Sequence, residues 1–190
     1  RDWSSDVCSS DLSIAVRTGN VSAGTSVFAM IVLEKRLKKA YRQIDMVTTP
    51  VGDAVAMVHC NNCTSEINAW VDLFGEYSKL MGFEVTPEEI FDKLFKQALL
   101  AEKDGGGIVA YNYFSGEHVT GFEEGRPLLV RETNAKFNLA NFMRVQLYTA
   151  LGALKTGLDI LFKEEKVEVD SIFGHGGYFT IKGVGQKILA

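Results

Sequence analysis

Residues 17–30 constrain the fold more than any other stretch. Two apolar runs flank a tight turn of small residues, Ser22-Ala23-Gly24-Thr25-Ser26. Thr and Val favour extended chain, and Gly24 lets the backbone turn closely. Residues 14–33 are therefore expected to form two strands around this turn. Small side chains leave successive backbone N–H groups open, a concavity suited to phosphate oxygens. The hydroxyls of Ser22, Thr25 and Ser26 add donors. Plain turn chemistry uses the same residues, so the stretch alone leaves both readings open.

A second glycine-rich stretch lies far downstream, Phe173-Gly174-His175-Gly176-Gly177-Tyr178-Phe179. Val167, Val169 and Ile172 alternate before it, which predicts a strand leading into Gly174. A helix is expected to begin at Gln186. Strand, glycine loop and helix in that order suit contact with a nucleotide held between the two turns. The loop is neither a P-loop, which ends in Gly-Lys-Ser/Thr, nor a dinucleotide fingerprint.

The chain between them alternates. Pro50-Val51-Gly52-Asp53 reads as a turn, and residues 54–59 as a strand. Then comes His59-Cys60-Asn61-Asn62-Cys63. These are three of the four ligands of a closed zinc site, and no second cysteine pair supplies the fourth. A redox pair would need a depressed thiol pKa. The expectation is no metal, locally packed cysteines, and Asn62 as a helix cap. Residues 64–81 predict a helix with Ile67, Trp70, Val71, Phe74, Tyr77 and Leu80 along an apolar stripe.

Thr86-Pro87-Glu88-Glu89 opens the next helix with a capping box, and Ile90, Phe91, Leu94, Phe95, Ala98 and Leu99 supply its buried face. Gly105-Gly106-Gly107 reads as a C-cap and flexible turn. Residues 108–113 predict a strand and 139–162 the longest helix. Gly152 and Gly157 within that helix each cost about 1 kcal/mol against Ala, which implies close packing against a sheet. Lys35, Arg36, Lys38 and Lys39 read as a solvated turn or loop. The alternation predicts one α/β domain, a mixed sheet covered by helices.

With 190 residues, 46% of them hydrophobic and a net charge of -4, the chain suits one folded domain and not a nucleic-acid face. No apolar run reaches ~18 residues, so no membrane span is expected. Three cysteines, an odd number, without a signal peptide point to the cytoplasm. Residues 1–12 show neither strand alternation nor a helical stripe. They resemble an adapter-derived translation artefact, with a native disordered tail as the competing reading, so the native chain is read from Ser13 or Ile14.

In the order and spacing of these motifs, residues 14–190 resemble the C-terminal half of the FGGY-family carbohydrate kinases. The run from Asn20 to Ser26 is similar to the family's second phosphate loop. Gly174-His175-Gly176-Gly177 with Gln186 is similar to its adenosine-side motif. Tyr113-Phe114-Ser115-Gly116-Glu117 resembles Tyr-Leu-Ser-Gly-Glu-Arg, with His118 in place of the Arg.

The resemblance implies an actin-like (ribonuclease H-like) α/β domain. It implies transfer of the terminal phosphoryl group of ATP, with Mg2+, to a sugar or polyol, a pentulose first among them. Gly24, Thr25 and Ser26 would meet phosphate, and Gly174, Gly176, Gly177 and Gln186 the adenosine side. Asn61, Asn62 and Ser65 lie where the family's chain enters the cleft, with pure capping as the competing reading. Arg144 is a further cleft candidate, with a surface ion pair as the competing one.

The family's catalytic base, an Asp after Gly, has no counterpart. Asp2 and Asp6 lack the glycine. The resemblance thus implies a chain truncated at both ends, lacking the N-terminal kinase domain and inactive alone, with a homodimer left open. The competing class is a non-catalytic nucleotide- or protein-binding actin-like module.

Overall fold

A computed structural model describes residues 14–190; the reading of residues 1–12 as foreign, with Asp2 and Asp6, lies outside the described residues. Strands β1 (Thr18–Ala23) and β2 (Val27–Val32) form the expected pair, antiparallel from Gly19↔Ile31 to Ala23↔Val27. Strands β3 (Asp45–Thr48) and β4 (Ala54–Cys60) extend the sheet antiparallel beyond β2. Strand β7 (Ser171–His175) joins the other side in parallel with β1, from Thr18↔Ser171 to Ser22↔His175. The order β3-β4-β2-β1-β7 is thus a mixed sheet, as expected. Strand β3 was not expected. All four of its residues are exposed, so it carries no apolar alternation to betray it.

Helices α1 (Ser65–Leu80), α2 (Pro87–Ala98) and α3 (Leu139–Asp159) fill the long crossover between β4 and β7, with a separate hairpin of β5 (Ile108–Tyr111) and β6 (Leu128–Arg131). A short helix α4 (Val184–Leu189) follows β7. One face of the sheet, including Val21, Ala29, Ile31, Ala56 and Val58, shares a core with Phe95 of α2 and Met143, Leu147 and Leu154 of α3. Each larger side chain among them, the two alanines apart, contributes roughly 1.5–3 kcal/mol when fully removed from water.

Gly157 lets α3 approach that face, since a Cβ there would collide with Val58. Gly152 has open space where its Cβ would be, so the expected packing reason fails for it. The capping box of α2 forms as expected: Glu89 N donates to Thr86 Oγ1 at 3.2 Å, and Thr86 N donates to Glu89 Oε2 at 3.0 Å. The stripe of α1 is shorter than expected. Ile67 and Val71 are buried, while Tyr77 and Leu80 project into solvent.

Helix α3 ends in a π-helical turn, Ile160–Glu164. The three glycines at 105–107 are not a loose turn. All three hold positive φ, Gly106 O accepts from Lys136 N at 2.9 Å, and Gly107 O accepts from Glu132 N at 3.0 Å. At the opposite end of the β1–β7 pair, Arg17 reaches Asp170 and Glu168, each at 2.8 Å. No described helix is long and apolar enough to cross a membrane.

Candidate functional site

Because β1 and β7 are parallel, both carboxyl ends lie at one sheet edge, the place where open α/β sheets receive ligands. The turn at 24–26 leaves β1 there, and the Gly176-Gly177 turn leaves β7. Gly176 has φ 93°, and a Cβ on it would strike the Ala23 carbonyl oxygen, so the two turns touch. The glycine loop begins later than the sequence suggests. Gly174 belongs to β7, and a Cβ on it would sit 2.8 Å from the Phe179 ring, a packing requirement. Gly177 is exposed with open space before it.

The 24–26 turn is held from behind by the connection between β4 and α1. Thr64 N donates to Gly24 O at 3.1 Å, Thr64 Oγ1 donates to the same oxygen at 2.8 Å, and Cys63 N donates to Thr25 O at 3.0 Å. In a trans peptide the N–H points opposite to the C=O. Pinning the two carbonyls toward residues 63–64 therefore turns the Thr25 and Ser26 N–H groups away from that connection. Gly24 N instead donates to Ser26 O at 2.9 Å, within the turn. The open amides are those of residues 25 and 26, not that of Gly24. The Thr25 side chain is exposed beside them.

Asn62 does not cap α1. Thr64 occupies the cap position, and its hydroxyl is given to Gly24. Buried Asn62 binds the 113–117 loop: its Oδ1 accepts from Phe114 N at 2.8 Å and Ser115 N at 3.1 Å, and its Nδ2 donates to Glu117 Oε2 at 3.1 Å. Asn61 joins the same loop, its Nδ2 donating to Gly116 O at 2.8 Å. Ser65 is the first residue of α1, half-buried next to Thr64.

His118 Nδ1 lies 3.7 Å from Glu117 Oε1. Cys60 and Cys63 are packed in the core, and burial raises both thiols, that of Cys63 to about 12. That is the reverse of what a redox thiol needs. Among the described residues no three His, Cys, Asp or Glu side chains gather to hold a metal.

A cleft of about 390 Å³ opens beside the touching turns. Gly177, Thr180 and Ile181 form one wall, Thr64, Asn68 and Asp72 another, with Phe91 of α2 among the residues closing it. Thr64, Asn68 and Asp72 recur every fourth residue, a polar stripe down one face of α1. That spacing is visible in the sequence and is the signal that finds them.

Of the residues singled out in advance, the structure gathers Gly24, Thr25, Ser26, Gly176 and Gly177 around this edge. Gln186 does not line the cleft. Its Oε1 accepts from Gly183 N at 3.0 Å and closes the first turn of α4. Arg144 stands apart between α2 and α3, donating to Ala98 O at 3.0 Å and Tyr148 Oη at 3.1 Å. It is not at the edge, and among the described residues it has no ion-pair partner. His175, at the end of β7, is held below its ordinary pKa of 6.5 by partial burial.

Residues 19–190 match the FGGY family of carbohydrate kinases, C-terminal domain. No curated protein matches the chain. Among solved structures it is similar to the xylulose kinase of Rhodospirillum rubrum, with TM-score 0.67 and 15% identity, covering 93% of this chain and 33% of that one. The xylulose kinase of Bifidobacterium adolescentis gives TM-score 0.65 and 19% identity, over 91% and 31%. Plasmodium falciparum glycerol kinase with ADP gives 0.65 and 15%, over 90% and 32%. The chain spans about a third of each of these proteins, and its mixed sheet with packed helices is the actin-like fold they share.

Proposed function

Because this chain belongs to the FGGY family of carbohydrate kinases, as its C-terminal domain, we propose that it supplies the nucleotide-holding half of an ATP-dependent sugar or polyol kinase. The observation that carries this reading is the parallel pairing of β1 with β7, which sets the 24–26 turn against Gly176-Gly177 at the mouth of a cleft. The cleft volume lies in the range of small-molecule sites. The Thr25 and Ser26 amides and hydroxyls bind the terminal phosphates of the nucleotide. The open face at Gly177 admits the adenosine, which lies along Thr64, Asn68 and Asp72.

The turn's residues fit a polyphosphate in donor chemistry, though among the described residues no cation lines the cleft. Mg2+, bound with ATP, supplies the offsetting charge. A base and an acceptor site come from the part of the kinase that precedes this domain. A pentulose is the acceptor we propose, in keeping with the xylulose kinases among the similar structures.

The test is Thr25→Val in the full-length protein, which removes a donor at nearly constant shape. Losing one charge-assisted bond costs about 1.5–3 kcal/mol, so ADP release with a panel of pentuloses and polyols should fall roughly ten- to hundredfold. The melting temperature should hold. Full turnover in the variant makes the turn purely structural and removes the basis of this assignment.

A further inference from the structure

Glu117 is fully buried, with 0% of its surface exposed, and among the described residues no Lys or Arg pairs with it. Its Oε2 accepts from Asn61 N at 2.9 Å, Asn62 N at 3.2 Å and Asn62 Nδ2 at 3.1 Å. Its other oxygen, Oε1, is buried without a hydrogen bond, and His118 Nδ1 stands 3.7 Å from it. A buried polar group that lacks a partner costs free energy, so a carboxylate is an expensive choice for mere filling.

What it holds is specific. The two amides it receives begin the connection whose next two residues, Cys63 and Thr64, pin the Gly24 and Thr25 carbonyls. Asn112 Nδ2, donating to Cys63 O at 2.9 Å, anchors the same connection. The loop carrying Glu117 is itself tight: Glu117 N donates to Phe122 O at 2.8 Å, and a Cβ on Gly116 would collide with Glu123.

We propose that Glu117 is a positioning residue for phosphate binding. It accepts the Asn61 and Asn62 amides and so fixes the connection that aims the Thr25 and Ser26 N–H groups. It touches no ligand. The inference rests on the nucleotide reading above and adds to it an origin for the turn's geometry.

The experiment compares ADP with adenosine as probes, titrated calorimetrically into the full-length protein. Adenosine uses the cleft and not the 24–26 turn. Glu117→Ala should weaken ADP by about tenfold or more, the scale of lost bonds to a charged acceptor, and leave adenosine unchanged. Glu117→Gln keeps one acceptor oxygen for the two amides and should restore most of the ADP affinity. Equal losses for ADP and adenosine, or no loss of ADP, overturn the proposal. If Glu117→Ala does not fold, Glu117→Asp, whose shorter side chain withdraws the acceptor from the two amides, carries the test with Thr25→Val as its reference. ADP weakened in both with adenosine intact supports it, and ADP weakened only in Thr25→Val overturns it. Wild-type protein that binds neither probe instead removes the nucleotide reading itself.

Discussion

At Gly24 a Cβ would meet nothing within 4 Å and the backbone needs no positive φ, whereas at Gly176 φ is 93° and a Cβ would strike the Ala23 carbonyl. The two turns sit side by side and look alike in sequence, yet they are ordered by different means. The 24–26 turn is shaped by bonds it receives from Cys63 and Thr64. The 176–177 turn is shaped by steric exclusion, and only glycine satisfies it. Glycine content therefore does not tell which turn is aimed at a ligand. The direction of the carbonyls does, because each carbonyl that is pinned commits the amide beyond it.

Gly176→Ala is the strongest way to sharpen this contrast. Forced positive φ and the collision with Ala23 together should cost about 3 kcal/mol, lowering the melting temperature by about 6–12 °C in calorimetry. A shift below about 2 °C would mean that the turns separate freely. Gly24→Ala is the matching substitution across the edge. With open space and an amide already used within the turn, it should change stability by no more than about 0.5 kcal/mol and leave ADP affinity as it is. A tenfold loss of ADP affinity there would break the comparison.

The smallest effect is a pH dependence at His175. Its folded pKa is depressed by burial, so the fold favours the neutral ring. That contribution is present above the ordinary 6.5 and is lost as pH falls through the lower folded value. Thermal unfolding between pH 7 and 5 should show a steeper loss of stability in the wild type than in His175→Gln. Parallel profiles would leave the ring without a part in the edge.

Where signals are local, the sequence carries them. The β1–β2 pair follows from one small-residue turn, and the start of α2 from Thr86, Pro87 and Glu89. Long-range pairings are different. The side chain of Asn62 looks like a cap because its partners, the Phe114 and Ser115 amides, lie some fifty positions away. Strand β3 is exposed throughout and has no pattern to read. The parallel union of β1 and β7 leaves no trace in either strand, although it creates the edge. The Thr64, Asn68 and Asp72 stripe is legible from its four-residue spacing alone.

That union also dictates an order of assembly. The pairing that seats β7 beside β1 joins residues as far apart as Arg17 and Asp170, separated by 153 positions, with four strands of the main sheet, the β5–β6 hairpin and three long helices in between. Closing so long a loop in an unstructured chain is entropically costly, and contacts of that span reward the chain only after it is closed. The hairpin of β1 and β2 is available early and the touching turns are not. The edge is thus a product of completed folding, so a chain arrested before β7 docks would carry the 24–26 turn and still lack the second wall of its cleft.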